Sequence, residues 1–468
     1  MRGSAWRGSA LASAVVLLVL GCGGKGIDTA PTATTPGTTT SADCSPPRLN
    51  QAVLDTARQW YLFPETLPAS IDPAAYATVG DFLNALTTQA RVEGKDRFFS
   101  GVTSIATENA LLQGTTAGFG FTLLESASPA ALRVAQVFAG SAAADAGFVR
   151  GDALLEVGTS PTTLQPIDQI LASTGGLEQA IGPSTAGIVR TLRWRTLAGE
   201  TRTATLTKRS FELDAVPAAN VRLLTLTNGN RIGHLTFRSF VSDPVASGAS
   251  ANLAALRAAF AQFAAAGVRD VVIDLRYNGG GLVSVGGTLA SYVAGGRGSN
   301  RVFATLLFND RQAGTSNSQF NFSGLASALG ASRVYVLTGP RTCSASEQVI
   351  NGLRGVGIDV VAIGDTTCGK PVGFQPASQC GTTYSVVNFE SVNERFEGRY
   401  FDGFAPTCAV ADDLSRALGA PDEALLSAAA SFADNGVCPA PASGASSRTL
   451  RRQSPRAEAG ERQDMLAR

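Results

Sequence analysis

The sequence predicts an α/β multi-domain chain, with a helical N-terminal region, a β-rich module and an α/β domain in that order. Three observations predict it. Apolar residues recur at helical spacing between Pro47 and Val92; an alternating, glycine-punctuated stretch follows; and from Arg222 onward aliphatic runs alternate with amphipathic ones. The 468 residues allow two to four domains. With 44% hydrophobic and 16% charged residues and a mean hydropathy of +0.11, the chain can bury a sizeable core, which excludes global disorder. Basic and acidic residues nearly balance, 38 against 37, so the charge excess of a nucleic-acid-binding domain is absent.

The N-terminus reads as an export signal. Arg2 and Arg7 precede a short apolar run, Leu11 to Leu20, which suits a signal peptide better than a bilayer span. Val19-Leu20-Gly21-Cys22 resembles a bacterial lipobox, although Leu20 is bulkier than usual there; Cys22 is the expected lipidation site. Residues 1–22 are thus the signal and 23–43 a Gly/Thr/Pro/Ala-rich tether. The expected location is the bacterial cell envelope, as a periplasmic lipoprotein held to a membrane. Gly23 in place of an Asp slightly favours the outer one. Setting Cys22 aside leaves six cysteines, Cys44, Cys343, Cys368, Cys380, Cys408 and Cys438. In an oxidising compartment they favour disulfides, with 15 possible pairings among which sequence does not choose. No cysteine pair has close zinc-site spacing and His234 is the sole histidine, so neither a metal nor a cofactor is expected.

Residues 44–113 form the expected helical region, with Leu49, Val53, Leu54, Ala57 and Trp60 on one face and a second amphipathic stretch from Val79 to Ala90, ending near Asp96-Arg97-Phe98-Phe99. In residues 114–210, Gly118-Phe119-Gly120-Phe121 leads into the strand-like run Leu132 to Phe138; Gly151-Asp152 then precedes the aliphatic Ala153 to Val157, and alternation returns at Ile188–Thr196 and Thr201–Thr207. This order resembles a bacterial PDZ domain. The resemblance implies that the Gly118–Phe121 loop offers backbone N–H groups to a peptide's C-terminal carboxylate, beside which the peptide adds as a strand. Residues 211–440 supply strand candidates Ile232–Phe237, Val271–Leu275, Val334–Leu337 and Val360–Ile363, with helix candidates Ala249–Ala265, Glu347–Leu353 and Asp422–Ala433. That pattern argues for a mostly parallel sheet. Residues 441–468, rich in Ala, Ser, Arg and Glu without apolar periodicity, read as a disordered tail.

Three segments carry chemistry. Val271 to Leu275 runs into Arg276-Tyr277-Asn278-Gly279-Gly280-Gly281, where glycines let the backbone approach a ligand and present N–H groups to a developing oxyanion. Thr342-Cys343-Ser344-Ala345-Ser346-Glu347 opens a predicted helix. Ser344 reads either as an N-cap, in a capping box with Glu347, or as a nucleophile favoured by the helix dipole. Gly364 to Lys370 follows a strand. Its lysine is either a solvated surface charge or a general base, and the latter must be buried among apolar groups to be neutral.

Together, Asp274-Leu275-Arg276-x-Asn278-Gly279-Gly280-Gly281, Ser344-Ala345-Ser346-Glu347 and Gly369-Lys370 resemble the S41 serine peptidases, the C-terminal processing or tail-specific proteases, over about residues 45–435. The resemblance implies a ClpP/crotonase-like catalytic domain. It implies a dyad with Ser344 as nucleophile and Lys370, 26 positions on, as base, and an oxyanion hole from the N–H groups of Gly280 and Ala345. Ser346 and Glu347 take supporting roles. Where the family has a lysine-orienting glutamine, the nearest candidate is Gln375, one place late, and Pro371 stands where a glycine is usual. Cys343 and Cys368 flank the dyad and can brace it, bonded to each other or to Cys380 or Cys408. A Ser-His-Asp triad would have to use His234, which sits inside a strand candidate. The implied partners are proteins or peptides with apolar C-termini, with an activator protein undefined. The alternative is a non-catalytic peptide- or ligand-binding lipoprotein on the same fold, which has no need for the serine–lysine pair.

Overall fold

The computed structural model describes residues 43–127, 130–241, 251–440 and 465–466; the signal segment, Cys22 and the tether expected before Asp43 lie outside them. Its central element is a six-stranded sheet in the order Arg222–Thr225, Arg231–Thr236, Val271–Asp274, Arg333–Thr338, Asp359–Gly364 and Cys408–Ala409. The first pair is antiparallel and the rest are parallel. Val271–Asp274 is buried along its whole length, as an aliphatic run between two covered faces must be. One face carries Leu256, Phe260 and Phe263 of helix Ala251–Ala265, with Leu289 and Val293 of helix Val283–Ala294 and Val349 and Leu353 of helix Ala345–Gly355. The other face packs on Leu425, Leu426 and Ala429 of helix Ala424–Asn435.

The parallel arrangement puts three chemistry-bearing segments side by side. Val271–Asp274, Arg333–Thr338 and Asp359–Gly364 are adjacent, with Asp274 opposite Leu337 and Leu337 opposite Ile363. The glycine turn, the Ser344 segment and the Lys370 segment leave their carboxyl ends, where open α/β sheets bind ligands.

A second, antiparallel sheet of Ser318–Asn321, Val302–Phe308, Phe389–Val392 and Val372–Gly373 was not anticipated. The expected helical region begins with helix Pro46–Trp60; the stretch from Val79 is two helices, Val79–Leu86 and Thr88–Val92, separated at Thr87. It is not independent of the rest. Val53, Leu54, Phe82 and Leu86 share a core with Val372, Tyr384 and Val387, and strand Gly101–Ser104 pairs with Thr382–Ser385. The helical region thus also holds a strand, and its core is completed from the far end of the chain.

The β-rich module is a six-stranded antiparallel sheet, Phe121–Ala127, Ala130–Val137, Ala153–Gly158, Val189–Arg195 and Thr201–Thr207 in order, with Gln165–Pro166 paired to Ala153–Gly158; Thr115–Gly118 pairs separately with Arg209–Glu212. Three disulfides join Cys44 to Cys380, Cys343 to Cys368 and Cys408 to Cys438. Of the expected disordered tail, Met465–Leu466 form a strand paired with Gly281–Leu282, and the remainder lies outside the described residues. Among the described residues, no helix is long and apolar enough to cross a membrane.

His234 is fully buried in strand Arg231–Thr236, and loss of hydration pulls its pKa from 6.5 down to about 4. The unfolded chain therefore takes up this proton first. The stabilisation is present above pH 6.5 and is lost as pH falls toward 4. With one histidine in the chain the effect is separable: relative to His234→Leu, the wild type should lose about 3 kcal/mol of unfolding free energy across that window. Denaturant melts of both proteins at pH 7 and 4 measure it.

Candidate active site

The glycine turn is held by buried polar groups. The Arg276 guanidinium, 2% exposed, binds Asp274 at 3.0 Å, Glu423 at 2.6 and 2.8 Å and Asp412 at 2.9 Å. Burial would raise the Asp412 carboxyl, but Arg276 and Arg150 together hold it below its usual range. Arg150, from the β-rich module, also donates to the Tyr277 hydroxyl, which in turn donates to Asp412. Asn278 then links two loops: its Nδ2 donates to the Phe237 carbonyl at 2.8 Å, and its own carbonyl accepts from the Cys343 N–H and the Ser346 hydroxyl. The Gly280 N–H donates to Asn278 Oδ1 at 2.9 Å. Gly281 has φ 137°, and a Cβ there would lie 2.3 Å from the Phe240 carbonyl oxygen, so only glycine fits.

Ser344 has φ 62° and ψ −117°, a region that costs a non-glycine residue about 1–3 kcal/mol. It is fully buried, and among the described residues its hydroxyl has no hydrogen-bond partner. The side chain makes no strict N-cap hydrogen bond, although Ser344 and Glu347 stand in capping-box arrangement at the helix start, with the Glu347 carboxylate accepting the Ser344 N–H at 3.0 Å. Ala345 is the first helical residue, so its N–H has no acceptor within the helix.

Lys370 is also fully buried, its Nζ 4.8 Å from the centre of the Phe374 ring and 5.2 Å from that of Phe99. Its turn needs Gly369, where a Cβ would come within 2.1 Å of the Phe401 carbonyl oxygen. Arg97 braces the same turn by donating to the carbonyls of Cys368 and Gly369.

Two links bring the Ser344 and Lys370 segments together. One is the Cys343–Cys368 disulfide, Cα–Cα 5.1 Å. The other is Glu347, whose Oε2 accepts from the N–H groups of both Ser344 and Lys370 (2.8 Å), while Oε1 accepts from Gly369 N–H (2.7 Å) and the Thr367 hydroxyl (2.5 Å). Burial pushes the Glu347 pKa up, against these donors. Opening the disulfide by a Cys343→Ala/Cys368→Ala exchange should cost about 3 kcal/mol of stability. Denaturant melts of the oxidised and the exchanged protein check it.

Gln375 is exposed, and it is its backbone N–H that pairs, with Asn388 Oδ1 at 3.1 Å. The expected lysine-orienting glutamine is therefore not at this position. Pro371 to Phe374 are buried, and the chain turns outward at Gln375. Phe99 and Phe374 line the amine instead. Phe374 was five positions from Gly369 and readable only as an apolar residue, while Phe99 comes from the N-terminal region. His234 stands opposite Val272 within the sheet, not beyond a strand end, so the structure does not assemble a triad around it.

In the β-rich module, Gly118 ends one strand and Phe121 begins the next. Gly120, at φ 91°, lies where a Cβ would come within 1.9 Å of Ser141 Cβ. Phe119 is buried, its carbonyl taken by the Ala143 N–H. Lys208 stands over the Phe119 ring at 5.1 Å, with burial lowering its pKa to about 8. Strand Phe121–Ala127 is an edge of its sheet, and Arg341 donates to its Leu123 carbonyl at 2.8 Å.

The model of peptidase family S41 matches residues 231–393, which hold all three segments, and that of the peptidase S41 N-terminal domain matches residues 48–101. The chain carries a peptidase family S41 domain and a peptidase S41 N-terminal domain. Among solved structures, this S41 chain is similar to a candidate S41 protease from Bacteroides fragilis, at 25% identity over 81% of this chain and 96% of that one, with a TM-score of 0.62. It is also similar to a photosystem II D1 C-terminal processing protease, at 18% identity, 80% and 98% coverage and a TM-score of 0.47. A third likeness is to mature CPAF complexed with lactacystin, at 13%, 79% and 94%, and 0.48. A sequence comparison with curated proteins gave no match. The matched domain is that of a peptidase family, and the fold is similar to that of an S41 protease.

Proposed function

We propose that this S41 chain is a serine endopeptidase of the C-terminal processing type, with Ser344 as nucleophile and Lys370 as general base. The observation that carries the reading is the buried Ser344, strained in its backbone and with no hydroxyl partner among the described residues, on a loop pinned to the Lys370 turn through one carboxylate oxygen. Removal from water takes away an ammonium's hydration, which is the condition a lysine base needs. Lys370 Nζ takes the Ser344 Oγ proton as Oγ bonds to the scissile carbonyl carbon. The oxyanion meets the Ala345 N–H and the Gly280 N–H, the latter released from Asn278. Collapse breaks the C–N bond while Lys370 returns the proton to the leaving amine; water, deprotonated by Lys370 Nζ, then attacks the acyl carbon, and the ester C–O bond breaks as Lys370 returns that proton to Ser344 Oγ.

The β-rich module is proposed as a PDZ-like reader of apolar peptide C-termini, its Gly118–Phe121 loop taking the carboxylate and the edge strand Phe121–Ala127 taking the peptide in place of the Arg341 contact to Leu123. Substrates would be exported proteins, met by a lipoprotein anchored through Cys22. The test incubates the purified protein and its Ser344→Ala variant with an unfolded protein and with peptides ending in apolar residues, and reads products by mass spectrometry from about pH 6 to 10, a range that spans a lysine base. Cleavage by the wild type alone, rising with pH, supports the reading. Cleavage by both removes Ser344 as nucleophile, and inertness of both favours a binding lipoprotein on the same fold.

A further inference from the structure

The short strand Gly281–Leu282, which directly follows the proposed oxyanion-hole glycine, has two edges. One is taken by Phe240: its N–H donates to the Gly280 carbonyl at 3.0 Å and its carbonyl accepts the Leu282 N–H at 2.8 Å. The other edge is taken by the chain's own C-terminal end. Met465 lies opposite Gly281 and Leu466 opposite Leu282, in a parallel pairing. The backbone of Met465–Leu466 also runs within 8 Å, Cα to Cα, of Val372–Gly373, the strand that begins two residues after Lys370. The tail strand thus lies between the segment leaving the oxyanion-hole turn and the segment leaving the base. An extended peptide adding as a strand beside the glycine turn would take this same edge.

The sequence fits such a segment. Of residues 441–468, Leu450, Met465 and Leu466 are the large aliphatic ones, so the tail has too little apolar surface to form a core of its own. The 24 residues from 441 to 464 can extend roughly 80 Å, ample to return from Ala440 to the sheet's carboxyl end.

Building on the peptidase reading, we propose that the chain's own C-terminal segment, through the backbone of Met465–Leu466, occupies the substrate-strand position beside the glycine turn and competes there with peptide ligands. The protein then carries a tethered occupant of its own cleft.

The test uses full-length protein with Ser344→Ala, so that binding is read without turnover and independently of whether the catalytic assignment holds. A fluorescein-labelled peptide of residues 457–468 is titrated by anisotropy into this protein and into the same protein carrying Met465→Pro/Leu466→Pro. The prolines remove the two backbone N–H groups a strand needs and leave the residues before 465 untouched. The expected result is binding at least fivefold tighter to the proline-bearing protein, and none by a labelled peptide that itself carries the prolines. Equal affinity for both proteins, or no binding to either, overturns the proposal. Thermal melts of the two proteins, expected to coincide, exclude a folding difference as the cause.

Discussion

Lys370→Met should reduce peptide turnover by about 10⁴-fold, the scale on which removing one member of a nucleophile–base unit acts. Methionine is one atom shorter but keeps an unbranched side chain that suits the contacts with Phe99 and Phe374. The melting temperature should therefore stay within about 1 °C, a shift worth under about 1 kcal/mol at this chain length. That split distinguishes a base from a structural lysine, whose loss would lower stability and activity together. Steady-state kinetics and calorimetry on the same preparation decide it, and an active Lys370→Met protein would remove the dyad.

The second large effect belongs to Glu347. Its carboxylate is the common acceptor for Ser344, Gly369 and Lys370 N–H groups and the Thr367 hydroxyl, all inside the protein. Glu347→Ala leaves these donors buried and unmet, and the expected loss is about 3–5 kcal/mol together with most activity. Glu347→Gln keeps one acceptor oxygen and should lose about half as much. Urea melts give the stability order. If alanine and glutamine were equally mild, the carboxylate would not be what holds the two loops.

Much of this was legible in the sequence because it depended on local pattern. The four parallel strand candidates fall within a residue or so of the observed strands, since continuous aliphatic runs between turns have few other uses. The three motif segments could be read as a set, and the sheet order makes them neighbours. What could not be read depended on distant segments. Strand Gly101–Ser104 exists because Thr382–Ser385 pairs with it, and Phe99 meets Lys370 across 271 positions of chain. The cysteine pairing is equally non-local. Gln375 failed for a different reason: a position inferred from a family spacing said nothing about the outward turn after Phe374. Arg276 was visible as part of a motif, but its partners Asp412 and Glu423 lie more than 130 residues away.

The bond between Cys44 and Cys380 turns everything between them into a covalent ring. The β-rich module, the glycine turn, Ser344 and Lys370 all lie on that ring. One backbone cut anywhere along it opens the ring without detaching a piece, so a nicked molecule keeps its mass until it is reduced. Cys408–Cys438 gives the following stretch the same property. For a protein read as a peptidase, a stray self-inflicted cut in an exposed loop then leaves both halves of the site joined. Electrophoresis after limited proteolysis, with and without reductant, would show one band becoming two.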